Sequence, residues 1–243
     1  MIKKSFLITS LFLLTSIAFF AQRNRVDNLP SFDKRKLHYG FYLGINKNDY
    51  KLSLNNVDLS TIDNDNIIKP NADITIESTA GFNVGLIADF RLHKNINARF
   101  EPGLITNTKK IYFNYLTPAK DSIREVSSTY LHLPFVFKFS SDRYKNIRPY
   151  VLAGISYNYN FSSNEDNQDD NLAGQFRLKT SNFMYEVGVG IDLYLYFFKF
   201  SPSIRGIFAI NNEVKYDKDP NSPWTAPINY LGTRGVFVTF AFE

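Results

Sequence analysis

The sequence predicts an all-β fold: an eight-stranded antiparallel up-and-down transmembrane β-barrel with short turns at one rim and four long loops at the other. The first observation is strict alternation, clearest over 183–197. There the odd positions are all apolar or aromatic, and the even positions include Glu186, Asp192 and two glycines. Successive side chains of a strand point to opposite faces, so this stretch has one apolar and one mixed face. The apolar face is long enough to cross a bilayer, because a tilted strand needs ~9–11 residues.

Two further observations concern the rest of the chain. Beyond the N-terminus, no run approaches the ~20 apolar residues of a spanning helix. The links between the predicted strands alternate between short (near 92–96, 141–146 and 198) and long (47–79, 110–128, 162–181 and 212–233). Every second link of an up-and-down barrel falls on the same rim, and bacterial barrels have short periplasmic turns and long outer loops. We therefore expect a bacterial outer-membrane location, with both chain ends in the periplasm.

Three segments are predicted along the chain. Residues 1–21 have the pattern of an export signal, with Lys3 and Lys4 before an apolar stretch and with Ala18 and Ala21 as small residues near a cleavage site. An uncleaved anchor is the alternative. Residues 22–36 are polar and contain Pro30, which predicts an extended periplasmic lead without a core of its own. The barrel is predicted over 37–243.

The first four strands follow from their alternating positions. Strand one (37–46) has apolar odd positions, and strand two (80–91) has apolar even positions with Ile87 interrupting its other face. Strand three (97–109) alternates Arg99, Glu101 and glycine with alanine, phenylalanine and leucine. Strand four (130–139) carries leucine or phenylalanine at each odd position from 131.

The last four strands complete an even number. Strand five (148–159) has apolar odd positions from 151, strand six is 183–197, strand seven runs from about 199 to 211, and strand eight (234–242) ends on alternating valine and phenylalanine. A terminal strand with an aromatic near its end suits closure of such a barrel, although the last residue is Glu243. Pro102, Pro134 and Pro202 fall inside predicted strands. Proline lacks the ladder donor, so we expect local bulges or kinks there.

Composition excludes several classes of protein. The chain has no cysteine, which rules out disulfides, thiolate metal sites and a lipidated cysteine anchor. The formal net charge of +5 is too small to predict nucleic-acid binding, for which we would expect a clustered basic face. No cofactor or metal site is predicted.

Ten charged residues are predicted to face the lumen, and bases outnumber acids among them: Asp89, Arg91, Arg99, Glu101, Lys138, Arg148, Glu186, Asp192, Lys199 and Arg205. Unpaired charges in so narrow an interior would be costly, so the favoured interpretation is a network of salt bridges that fills the lumen. A small pore or a ligand cavity is the alternative. Glu186 and Asp192 lie ~20 Å apart along their strand, too far for paired-carboxylate catalysis.

Other candidate chemistry is weaker. A hydrolase would need a histidine at the loop rim; His132 is the nearest, with Asp121 and Ser128 upstream, but a packed histidine is favoured. The acidic loop 162–171 offers oxygen ligands for calcium without the spacing of a complete calcium loop, so a solvated loop is favoured. Trp224 lies among prolines in the last long loop. It is predicted either to contact a partner or to hold its own loop in place.

Several blocks of the sequence resemble the PorT (also called SprT) family of the Bacteroidetes. They are LPSFDKR at 29–35, HYGFYLG at 38–44, FEPGL at 100–104, TYLHLP at 129–134, IRPYV at 147–151, SNEDN at 163–167, FSPSIRG at 200–206 and DPNSPW at 219–224. The two loop blocks are specific, because no property of a barrel demands them. The three strand prolines lie within these blocks.

The resemblance implies an outer-membrane β-barrel required by the type IX secretion system, and in many members by gliding motility. It implies no catalytic residues. The sequence thus predicts a non-enzymatic barrel in the outer-membrane bilayer that contacts other type IX components. A filled eight-stranded barrel is too narrow to pass a folded protein, so it is not predicted to be the translocation channel.

Overall fold

The computed structural model describes residues 27–62, 64–117, 119–166 and 176–243. The predicted signal at 1–21 and the first residues of the predicted lead, 22–26, lie outside the described residues. Within the described residues, no helix has the length and apolar character needed to cross a membrane. Helical structure is confined there to 3₁₀ turns at Phe32–Lys34 and Leu59–Thr61 and a single α-turn at Ala119–Ser122.

Ten strand segments make up the rest of the fold. They are β1 (Leu37–Leu54), β2 (Ile74–Ser78), β3 (Ala80–Arg91), β4 (Ile96–Phe100), β5 (Gly103–Phe113), β6 (Ile123–Ser140), β7 (Ile147–Asn160), β8 (Ser181–Tyr194), β9 (Lys199–Ala209) and β10 (Ile228–Phe242).

The strands close into a ring of eight. Each pairs antiparallel with its neighbour, and β1 pairs with both β3 and β10, which closes the barrel. The segments β2 and β3 together count as one strand of this ring, interrupted at Thr79. The segments β4 and β5 together count as another. Because the ring is closed, neighbouring strands can hydrogen-bond the backbone N–H and C=O groups, which lipid could not do. The predicted fold class is confirmed.

The strand ends differ from the prediction on the long-loop side. The segment β1 continues to Leu54, β6 begins at Ile123 and β10 begins at Ile228. Beyond the predicted limit of strand one, the polarity of the two faces inverts: Lys47 and Lys51 point outward, whereas Tyr50 is buried inside. A wall that rises out of the bilayer faces water, so its outward side chains are polar and its interior is apolar.

The strand prolines interrupt the ladders without shifting the register. Pairing stops after Phe100 and Phe135 and resumes in the same register at Gly103 and His132, on either side of Pro102 and Pro134. The β8–β9 ladder is interrupted in the same way next to Pro202. The expectation of bulges is wrong at these positions: the missing N–H groups remove rungs, but no residue is inserted.

The links sort by length onto two rims. Short turns at 92–95, 141–146 and 195–198 lie at one rim, and the long loops 55–73, 114–122, 161–180 and 210–227 lie at the other. Tyr196 and Phe197, predicted to end the sixth strand, lie in the exposed turn 195–198. Between the rims the outer wall exposes large apolar side chains on every strand, as a lipid-facing surface requires.

Candidate functional site

The lumen is the candidate site, and Arg99 lies at its centre. This guanidinium is fully buried and faces three carboxylates. Its Nε lies 2.9 Å from Glu101 and 3.5 Å from Asp89, and its Nη2 donates to Glu243 at 3.2 Å. Strands β3 and β4 bring two of these groups together, because Asp89 is the cross-strand partner of Arg99.

A second cation extends this network toward the long-loop side. Arg205 on β9 donates to both oxygens of Glu101 and lies 3.9 Å from Glu186. His132 Nε2 is 3.1 Å from the same Glu186, and its Nδ1 is 2.6 Å from Asn158 Oδ1. Each charge is therefore in contact with an opposite charge or a polar group, which offsets the loss of hydration on burial.

The third group of charges lies toward the short turns. Lys138 donates to both oxygens of Asp192 at 2.7 Å and lies over the ring of Tyr150. Lys199 donates to Glu243 at 2.8 Å, so the terminal residue bridges this group to Arg99.

The structure places the ten predicted lumenal residues at two levels. Inside the barrel, none of the following exceeds 5% exposure: Asp89, Arg99, Glu101, Lys138, Glu186, Asp192, Lys199 and Arg205. Arg91 and Arg148 lie instead at the short-turn mouth, where both contact Asp33.

Sequence reasoning missed two carboxylates of this site, Asp33 and Glu243. One belongs to the predicted lead and the other is the residue that departs from the usual terminal aromatic. The signal was the excess of bases in the predicted lumenal set, and these two acids make the numbers of acids and bases equal. A buried network near neutrality needs such partners.

The lead closes the short-turn mouth. Phe32 stacks on His38 with ring centroids 4.1 Å apart, and Asp33 accepts from the Tyr194 hydroxyl at 2.7 Å. Arg143 and Arg148 contact the same carboxylate at 3.4 and 3.3 Å. The prediction of an extended lead is therefore wrong for its described part, which forms turns and a 3₁₀ turn because Phe32 and Asp33 find partners in the mouth.

The long-loop end is closed by an apolar core. Residues from the tall strands and from all four long loops pack together there: Tyr50, Leu59, Ile62, Ile111, Phe113, Tyr115, Leu116, Val126, Phe176, Leu178, Val214, Trp224, Ile228 and Leu231. Trp224 is 8% exposed, donates from Nε1 to the Asp121 carbonyl at 3.0 Å and lies 4.9 Å from the Arg124 guanidinium. This geometry favours the interpretation in which Trp224 holds its own loop.

Little space remains in the charged middle of the lumen. A cavity of about 10 Å³ lies under the lead beside Asp192 and Lys199, and another of the same volume lies beside His132 and Phe237. Each is about large enough for one water, whereas pockets for small molecules measure ~300–1,000 Å³. A larger cavity, of about 220 Å³, lies at the long-loop end beside Val126. Side chains therefore fill the charged middle of the lumen.

The structure does not assemble the hydrolase alternative. His132 is 3% exposed inside the barrel, away from the loop rim. Ser128 lies four residues away on the same strand, β6, which corresponds to ~13 Å. The ring nitrogens of His132 are taken by Glu186 and Asn158, as expected for a packed histidine.

The acidic loop 162–171 is described only as far as Asp166. Glu165 accepts from the backbone N–H of Thr180 at 2.8 Å and from Lys215 at 3.3 Å. The Thr180 hydrogen bond favours the ionised carboxylate and lowers the pKa of Glu165. This acid fastens one end of the loop 161–180 to the other.

One family model and two solved structures are similar to this chain. The family model "Outer membrane protein beta-barrel domain" matches residues 20–215. Among solved structures, Neisserial surface protein A is similar at 11% identity and a TM-score of 0.46, over 85% of this chain and 98% of that one. The outer membrane protein OprG from Pseudomonas aeruginosa is similar at 12% identity and a TM-score of 0.49, over 84% and 94%. No curated protein is a significant match. Since the family match covers most of the chain, the protein belongs to the outer membrane protein β-barrel domain family.

Proposed function

We propose that this outer-membrane barrel supports type IX protein secretion, and gliding motility where the host glides, by assembly or partner contacts rather than by catalysis. The proposal rests on the sequence blocks that resemble the PorT/SprT family, which extend over nearly the whole predicted mature chain. Two of them, SNEDN at 163–167 and DPNSPW at 219–224, lie in long loops, where barrel packing alone does not dictate the sequence.

One observation carries the mode of action: the charged middle of the lumen is filled and each mouth is closed by the chain itself. The lead covers one end through Asp33, and the loop core around Trp224 covers the other. An exported protein has no route through such a barrel. The surfaces left for function are the long loops, the lead and the lipid-facing wall.

We further propose that the long loops face the cell exterior and that the lead and the C-terminus face the periplasm. Support comes from the length of the links, since bacterial barrels have short periplasmic turns. Removal of residues 1–21 as an export signal is part of the same proposal. Edman sequencing of the mature protein tests the cleavage, and protease added to intact cells tests the orientation by cutting only the long loops.

The test of function is a gene deletion in the native host. The expected result is loss of type IX substrates from the medium while general export to the periplasm continues, with recovery when the wild-type gene is restored. Normal secretion in the deletion strain would refute the proposal. Steady conductance of the purified barrel in planar bilayers would instead favour a small pore, which the filled lumen argues against.

A further inference from the structure

The lipid-facing wall contains a trough that the register of the strands explains. A first row of outward side chains crosses five strands as direct cross-strand partners: Phe139, Val151, Val189, Ile204 and Val238. Two residues nearer the short turns, a second row contains Ser141, Pro149, Ile191, Pro202 and Phe240. A third row contains Ile147, Leu193, Phe200 and Phe242.

The second row is low on three of its five strands. There a serine and two prolines reach only a short way from the backbone, whereas the valine, isoleucine and phenylalanine side chains of the first and third rows project into the lipid. The result is a concave apolar groove of about 730 Å³ that lies over the second row and against the first, with Gly190 and Tyr150 in its lining. We call this groove the wall trough.

The dimensions of the wall trough select its occupant. Outward residues on one strand are spaced ~6.6 Å apart, so the first and third rows are ~13 Å apart before their side chains are counted. The remaining width is too small for an α-helix, which measures ~10–12 Å across with its side chains. Three interstrand steps from β6 to β9 give a length of ~14 Å, and Phe240 on β10 closes the far end. A single extended hydrocarbon chain fits this shape.

One end of the wall trough reaches the membrane interface. Ser141 begins the short turn 141–146, whereas Ile191 and Pro202 lie several residues from their turn. The same turn carries Lys145, whose side chain is exposed. Nearby Lys94 pairs with Asp142 at 2.9 Å, and Arg143 is engaged by the lead. Positive charge at the interfacial end of an apolar trough is complementary to a phosphate with an attached acyl chain.

We propose that the wall trough binds one glycerophospholipid of the leaflet next to the short turns. An acyl chain lies along the trough from Ser141 toward β8 and β9, and the phosphate contacts the ammonium of Lys145. Because lipid tails surround the whole wall, binding here depends on shape and on the phosphate contact rather than on the hydrophobic effect. The proposal does not depend on a role in secretion.

Native mass spectrometry tests this site. The barrel is reconstituted in vesicles of equal parts phosphatidylethanolamine and phosphatidylglycerol, extracted into mild detergent and analysed for retained lipid. The wild type is expected to retain one phospholipid per barrel. The substitution Ile191→Trp fills the trough and should abolish retention. The matched control Val187→Trp lies on the same strand and face, outside the trough, and should retain the lipid.

A second pair of variants tests the phosphate contact without touching the wall. Lys145→Glu should lose the phospholipid, and Lys51→Glu, an exposed lysine near the opposite rim, should keep it. Folding of every variant is checked by the heat-modifiable shift on a gel. Three results would overturn the proposal: a wild type without phospholipid, equal retention by the two tryptophan variants, or a bound polypeptide in place of lipid.

Discussion

Replacing Arg99 by methionine should destabilise the barrel far more than replacing an exposed arginine. Arg99 is fully buried and is the shared partner of Glu101, Glu243 and Asp89. Without it, Glu101 still has Arg205 at 3.0 Å and Glu243 still has Lys199 at 2.8 Å. Among the described residues, Asp89 is left with an amide donor, Asn97, and no cation within salt-bridge distance.

The size of the effect follows from burial. Breaking a buried ion pair by removing one partner costs about 3–5 kcal/mol, because the remaining charge stays away from water. We expect Arg99→Met to lower the free energy of unfolding by that amount. The matched control is Arg234→Met: the Arg234–Asp49 pair is 3.5 Å long with side chains 55% and 40% exposed. Such exposed pairs contribute about 0–1 kcal/mol.

Urea titration of the reconstituted barrel, followed by the folded band on an unboiled gel, measures both variants. Adding Asp89→Asn to Arg99→Met should recover part of the loss, since it removes the carboxylate left without a cation. Equal destabilisation by Arg99→Met and Arg234→Met would refute the idea that the lumenal network is a coupled, dehydrated unit. So would a double variant less stable than Arg99→Met alone.

Three further predictions concern the two closures. Trp224→Ala should loosen the loop core by about 3–5 kcal/mol, and protease should then cut 210–227 while the heat-modifiable shift persists. Asp33→Ala should release the lead, seen as faster amide exchange over 28–35 with an unchanged barrel. Glu165, whose pKa the Thr180 hydrogen bond lowers, stabilises its loop above the ordinary carboxyl pKa of ~4.3; this contribution is lost as pH falls through the lowered value. The amide chemical shift of Thr180, measured by NMR, should change as the Glu165 carboxylate is protonated. Glu165→Gln should show the same change at neutral pH.

Each of these has a control and an outcome that contradicts it. Phe197→Ala, at an exposed turn tip, should leave the proteolysis pattern unchanged, and equal cutting in both variants would rule out a special role for Trp224. Asp142→Ala removes an exposed turn carboxylate and should not affect the lead. If the amide chemical shift of Thr180 does not change with pH in the wild type, Glu165 is not the group that holds the two ends of its loop together.

The sequence was sufficient for the barrel because alternation is a local property. Each strand carries its own two faces, and the lengths of the links fix which rim they share. The same local logic identified Arg99, Glu186 and Asp192 as inward-facing residues. It could not place Asp33 or Glu243, because their partners are strands far away along the chain.

The strand prolines and the part of the barrel wall beyond the lipid show the same limit of prediction from local sequence. Pro102 and Pro134 were recognisable as missing donors, but only the register of β4 and β5 on β6 shows that they are diagonal neighbours and leave the pairing in phase. The extension of β1 to Leu54 could not be predicted from the sequence. Where the wall leaves the lipid, polar residues occupy the outward positions and apolar residues occupy the inward ones.

By itself, the sequence determined the strands, their inward and outward faces and the two rims, since these follow from the period of a strand and the length of its links. The tertiary structure alone decided that Asp33 and Glu243 complete the lumenal charges, that Trp224 is buried, and that Ser141, Pro149 and Pro202 come together in the wall trough. Those features arise from contacts between residues distant in sequence, and such contacts exist only once the ring has closed.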